Sequence, residues 1–295
     1  MTSRTPSARS GDAEVPSQAP STTGPAAGER RHTGSFRLAL LALLSLVLAG
    51  GASAGPHALR APPRAVVPGG DLTGRWLLVE VASTQASLGA LGEVRSEIHG
   101  AVLMDLVHHG DRLTGQGELC EFRLKSPTSL VRIEFPAGFR RALERPTLDA
   151  RVEEKGGVLH FEQPQVFAVL GAHLRRPRGE PLPEGPDDPR VIDADGDGKP
   201  GVTVLVRGLI DGEIYLVQRT WNALVGRAVS AQRFEGALLH GKEEVVLGAT
   251  HDVLAAFPPT RPDPAGSRFV LERARAGATC QDAVGRMEAL VGGGE

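Results

Sequence analysis

The sequence predicts a mainly β protein: an antiparallel barrel or sandwich of about ten strands, followed by a short C-terminal helix. Three observations lead there. Short runs alternate apolar and polar residues or are rich in Val, Leu and Ile, as in Val202 to Val206. Turn-forming dipeptides punctuate them, notably Gly110-Asp111, Gly156-Gly157 and Asp211-Gly212. Only the last stretch has convincing helical spacing, with Ala283, Val284, Met287 and Leu290 on one side.

Before the β region lie three segments of different character. Residues 1–37 are rich in Ser, Thr, Pro, Ala and Gly without apolar periodicity, which predicts a disordered extension. Leu38 to Leu48 is almost entirely apolar, follows Arg37 and leads into Ala52-Ser53-Ala54. Segment 38–54 therefore reads as a signal-peptide core with cleavage before Gly55, the alternative being an uncleaved anchor. The apolar run is too short for a comfortable membrane span, so no stable span is expected after cleavage. No cysteine follows it to carry a lipid, and Arg30-Arg31 lacks the rest of a twin-arginine signal. Residues 55–70 form a proline-containing linker, and 71–295 form the exported β-domain, secreted or periplasmic. The formal charge of −2 and the scattered basic residues argue against a nucleic-acid partner. In an oxidising compartment Cys120 and Cys280 are expected to pair; the alternative is two buried thiols.

Taken in order, Gly74 to Val81 is a first strand. Thr84 to Glu97 reads as a short helix or an irregular lid. Ala101 to His108 and Arg112 to Leu124 form a hairpin about Gly110-Asp111. Leu130 to Phe135 is a strand, and Phe139 to Leu143 a helical turn stopped by Pro146. Thr147 to Val152 and Val158 to Phe161 form a hairpin about Gly156-Gly157, and Val166 to Leu170 a separate buried strand. Residues 175–190 contain five prolines among charges and predict an exposed loop or a linker between lobes. Val202 to Val206 pairs with Ile214 to Trp221 across Asp211-Gly212. Ala228 to Leu239 follows, then a turn at His240-Gly241 and a strand at Glu244 to Leu247. Asp252 to Phe257 is a short helix and Phe269 to Arg273 a last strand. Thr279, with Asp282 three residues on, caps the final helix, which Gly292 ends.

The stretch with the most chemistry is Val191 to Arg207, VIDADGDGKPGVTVLVR. Asp193, Asp195 and Asp197 fall at positions 1, 3 and 5 of a tight loop, with Gly198 at the sharp turn and the Lys199 backbone carbonyl at position 7. Oxygens at such spacing converge on a cation of calcium's size. The loop resembles those of EF-hands, dockerins, thrombospondin type 3 repeats and FG-GAP propellers, and that resemblance implies a bound calcium. It departs from them at position 9, which is Gly201, and at position 12, which is Val204 instead of a bidentate glutamate. Pro200 and the β-branched run after it give loop-then-strand. Asp187, Asp188, Asp211 and Glu213 are the nearest further acids. The alternative to a cation is a plain Asp/Gly turn.

Gly74-Arg75-Trp76, opening the first strand, resembles the Gly-x-Trp motif of lipocalins. That likeness implies an eight-stranded barrel with Trp76 at its floor and a small apolar ligand at its mouth; a tryptophan in any β-core is the other reading. Enzyme motifs fail on context. Gly51 to Gly55 matches G-x-S-x-G but lies at the cleavage site. Gly236 to Lys242 resembles a phosphate loop, yet Glu243 follows and no helix does. His108-His109 point to opposite faces of a strand and cannot share one ion. The sequence therefore predicts an exported, non-enzymatic β protein with one structural calcium loop. A lipocalin-like carrier of a small apolar ligand, a cell-envelope partner and an exported hydrolase with a site assembled from distant strands are the other readings.

Overall fold

The computed structural model describes residues 70–87, 93–125, 131–143, 145–256 and 260–292. The expected extension at 1–37, the signal core at 38–54 and nearly all of the linker at 55–70 lie outside them. The described chain forms one antiparallel sheet of eleven strands that closes in a ring. Its strands are β1 (Gly74–Ser87), β2 (Glu93–His109), β3 (Arg112–Lys125), β4 (Val131–Glu134), β5 (Thr147–Lys155), β6 (Val158–Leu170), β7 (Val202–Gly208), β8 (Gly212–Ser230), β9 (Arg233–Ala249), β10 (Thr260–Pro262) and β11 (Arg268–Arg273). Two helices accompany them, α1 (Ala137–Ala142) and α2 (Cys280–Gly292), with a 3-10 turn at Asp252–Ala256.

The closed path runs β1–β2–β3–β5–β6–β8–β9–β11 and back to β1, an up-and-down ring from which β4, β7 and β10 branch. β7 pairs with the first residues of β8, Gly212 to Leu216, and β6 takes over that edge from Gln218 onward. β4 then extends β7. A ring has no unpaired edge to protect. At one end the ring strands are joined by short turns at 110–111, 156–157 and 231–232. The connections at the other end are elaborate. They carry β4 and α1, then the 171–201 stretch with β7, then the 3-10 turn and β10.

Alternation along each strand sorts the side chains. Trp76, Leu78, Met104, Leu106, Leu113, Phe161, Phe234, Phe269 and Leu271 fill the ring toward the short-turn end. The opposite face of the same strands buries Leu77, Val79, Ala101 and Leu103 against Ala283 and Met287 of α2. A separate cluster joins Phe139 of α1 to Val202, Val204, Val206, Ile214, Leu216 and Leu254. Phe122, Phe135 and Phe139 stack there, with centroids 4.8 to 6.4 Å apart.

Several boundaries differ from the sequence reading. Thr84 to Glu97 is neither helix nor lid where described, because β1 and β2 stay paired as far as Ser87 and Glu93. The expected strands at Val158 and Val166 are one strand, β6, whose register slips between Gln163 and Val166. Pro164 lies inside that slip, where its missing N–H costs the ladder nothing. His240-Gly241 is not a turn: β9 runs straight through it. A Cβ on Gly241 would come within 2.5 Å of the Trp221 indole, so this glycine makes room for a neighbour in the sheet. Of the two readings of residues 175–190, the structure shows the largely exposed loop and not a linker between lobes. Leu182 packs with Ala172 and Val217, and the buried Arg219 guanidinium donates to the carbonyls of Pro177 at 3.0 Å and Glu180 at 2.6 Å.

Candidate functional site

The aspartate loop is closed at its neck by backbone hydrogen bonds. Ala194 N–H donates to Gly201 at 3.0 Å and Gly201 N–H to Ile192 at 3.0 Å. Gly196, Gly198 and Gly201 all take positive φ, which lets the chain reverse within so few residues. Asp193 is held from inside: Oδ1 accepts from Gly196 and Asp197 N–H, and Oδ2 from Gly198 N–H at 2.9 Å. The Gly198 amide, followed by those of Gly196 and Asp197, keeps its carboxyl below the usual range. Asp197 accepts from Lys199 N–H at 2.8 Å and from the Thr203 hydroxyl.

Asp195 differs from both. It is 8% exposed, and its Oδ2 accepts Thr203 N–H at 2.8 Å, which ties the loop to β7. Its Oδ1 is buried and has no hydrogen-bond partner. Burial, then the charges of Asp197 and Asp193, raise its pKa. A Cβ on Gly138 of α1 would lie 2.7 Å from the Asp195 carbonyl, so helix and loop are in close contact. One oxygen from each aspartate lies within 4.8 Å of the others. At calcium–oxygen distances of about 2.4 Å, opposed ligands stand roughly 5 Å apart, so all three can reach one ion.

Lys199 places its ammonium over the Tyr215 ring, 5.6 Å from the centroid. Tyr215 donates to Glu213 at 2.8 Å, and burial with that carboxylate pushes the phenol up to about 12. The other nearby acids are engaged elsewhere: Asp188 pairs with Arg190, and Asp211 accepts Gly208 N–H. Neither these nor Asp187 joins the cluster of Asp193, Asp195 and Asp197 among the described residues.

Trp76 is fully buried in the ring core. Its Nε1 donates to the Leu72 carbonyl at 2.8 Å, and the Arg273 guanidinium of β11 lies over its ring at 4.8 Å. Cys120 and Cys280 form a disulfide. Cys120 is the extra residue where β3 bulges, since Val102 faces Leu119 and Ala101 faces Glu121. Cys280 is the first residue of α2. His108 is half-buried, its Nδ1 3.5 Å from Leu72 N, while His109 is exposed.

Sequence reasoning missed a polar group inside the ring. Glu80 follows Trp76 and Leu78 in alternation and therefore points inward. It accepts from Asn222 Nδ2 at 3.3 Å, across strands that are not neighbours. Asn222 faces His240 in the β8–β9 register, and Gln163 faces Leu224 in the β6–β8 register. Burial alone raises the Glu80 pKa to about 7, and burial lowers that of His240. The signal was legible as a carboxylate on the apolar parity of β1.

His240 Nε2 also lies 3.0 Å from Ser267 Oγ, a contact that invites a nucleophile reading. The same nitrogen is 3.1 Å from the Ser83 carbonyl, which can only accept, so Nε2 carries the proton and cannot take one from Ser267. Ser267 in turn donates to the Asp263 carbonyl, and Asp263 is paired with Arg95. This network fastens the segment after β10 to β1. No helix among the described residues is long and apolar enough to cross a membrane. No protein-family model and no curated protein matches the chain.

Proposed function

We propose that this protein is an exported, non-enzymatic β-barrel protein whose 193–201 loop binds one calcium ion as a structural clamp. The observation that carries the reading is the partnerless, buried Oδ1 of Asp195 beside two further carboxylates. A buried acceptor left without a donor costs about 1–3 kcal/mol, and a charged one more, whereas a cation gives it a partner. Asp193, Asp195 and Asp197 supply charged oxygens and the Lys199 carbonyl a neutral one. With so few carboxylates the affinity is expected in the extracellular range, about 0.1–1 mM. The ion would neutralise the loop between α1 and β7 and so hold the elaborate end of the ring together. The disulfide supports the exported setting.

The test is thermal unfolding in 5–10 mM calcium and in chelator, a concentration chosen to exceed that affinity roughly tenfold. Calcium is expected to raise the melting temperature and Asp195→Ala to remove the rise. Superimposable wild-type curves in the two buffers would falsify the reading.

A second reading, a lipocalin-like carrier of a small ligand, is favoured by one observation inside the ring. Gly100 is buried, yet a Cβ placed on it would meet no atom within 4 Å. Gly115, Gly117, Gly226 and Gly236 are packed so closely that a Cβ would overlap their neighbours. Free space therefore borders Gly100, above the filled floor at Trp76, and eight-stranded rings are wide enough to hold one small ligand. Native mass spectrometry of the purified protein is expected to show a bound or bindable small molecule; its absence counts against a carrier.

A further inference from the structure

Glu80 and Gly100 are direct partners in the β1–β2 register, so the carboxylate stands beside the free space. Opposite partners in an antiparallel pair share a face, and Glu80 also faces Phe269 of β11. Glu80 is half-buried, so part of its surface stays accessible although it lies inside the ring. Its one side-chain partner among the described contacts is the Asn222 amide, and no described arginine, lysine or histidine forms an ion pair with it. His240, the titratable group facing in from β9, spends its Nε2 proton on the Ser83 carbonyl. The interior thus holds a carboxylate with no cation, in a setting where buried charges are normally paired.

We infer that the space beside Gly100 is a binding site for a small organic cation: a primary amine with an apolar body, whose ammonium sits against the Glu80 carboxylate. The inference rests on the carrier reading and sharpens it. The ammonium supplies the donors and the positive charge that Glu80 lacks. Gly100, Phe269 and the Ala82–Ile98 pair next along the same strands give the body apolar walls. A carboxylate ligand would meet like charge there. A neutral alcohol would satisfy hydrogen bonds but not the charge. The Glu80 pKa, raised by burial to about 7, agrees with a carboxyl awaiting a counter-ion.

Three ligands of one length separate the possibilities: hexylamine, hexanol and hexanoate, titrated calorimetrically at pH 8 into the full chain. Hexylamine is expected to bind at least tenfold more tightly than hexanol, and hexanoate not to bind. Glu80→Gln, close to isosteric, is expected to bring amine and alcohol to equal affinity. Gly100→Val, which fills the space, is expected to abolish binding of both. Hexanol binding as tightly as hexylamine overturns the cation inference and leaves the carrier reading standing. Failure of all three ligands to bind the wild type overturns both. Amine preference surviving in Glu80→Gln overturns the role of Glu80.

Discussion

Two carboxylates in this protein, one buried and one half-buried, have opposite standing. Asp195 sits among other acids with an oxygen left over, and Glu80 sits among apolar side chains with an amide for company. For Glu80 the consequence for stability has a definite sign. Its unfolded carboxyl ionises near 4.5 and its folded one near 7, so between those values the folded state holds a proton that the unfolded state has lost. Stability from this group is greatest below pH 4.5 and falls as pH rises through about 7, by at most about 3.5 kcal/mol. Glu80→Gln is therefore expected to gain on the wild type between pH 4 and pH 8 in denaturant melts, a range set by those two ionisations. His240 titrates in both proteins and cancels from the difference. A gap independent of pH would mean that Glu80 is solvated. The aspartate triad was legible because its three members fall within five consecutive residues. The interior group was not, because Glu80, Gln163, Asn222 and His240 come from four strands that only ring closure brings together.

At the scale of elements, local chemistry was read well and strand length badly. The Thr279–Asp282 cap is present in both directions: Thr279 N–H donates to Asp282 Oδ2 at 2.8 Å, and Asp282 N–H meets Thr279 Oγ1 at 3.4 Å. The Thr279 amide and then its hydroxyl hold the Asp282 carboxyl down to about 2, with Arg275 beside it. Thr279→Ala is expected to destabilise the protein by about 1 kcal/mol, measured as a lower urea midpoint with unchanged slope. Glycine and proline misled in the other direction. Gly241 and Pro164 suggest breaks, yet the first makes space for Trp221 within β9 and the second sits in a bulge of β6. Both roles depend on a neighbouring strand, so no window of single-chain sequence contains them.

For the molecule as a whole, the alternation of apolar and polar residues indicated antiparallel sheet but left barrel and sandwich open, since both bury one face. Closure is decided by β1 meeting β11, with Trp76 opposite Arg273 and Val81 opposite Arg268. The disulfide acts on the same scale, joining β3 to α2 across a sequence separation of 160. In the chain-entropy account such a crosslink is worth roughly 5 kcal/mol. Reduction, or Cys120→Ser with Cys280→Ser, is expected to lower the melting temperature substantially while leaving the far-ultraviolet β signal at low temperature; an unchanged melt would show the bridge to be idle. The late position of β11 also sets a timetable. A ribosome working at about 5–20 residues per second needs on the order of 10–40 s to travel from the tryptophan strand to its last partner. Through that interval the nascent chain can form hairpins but has no partner with which to shut the cylinder, so closure waits for its carboxyl end and for the meeting of its two most distant strands.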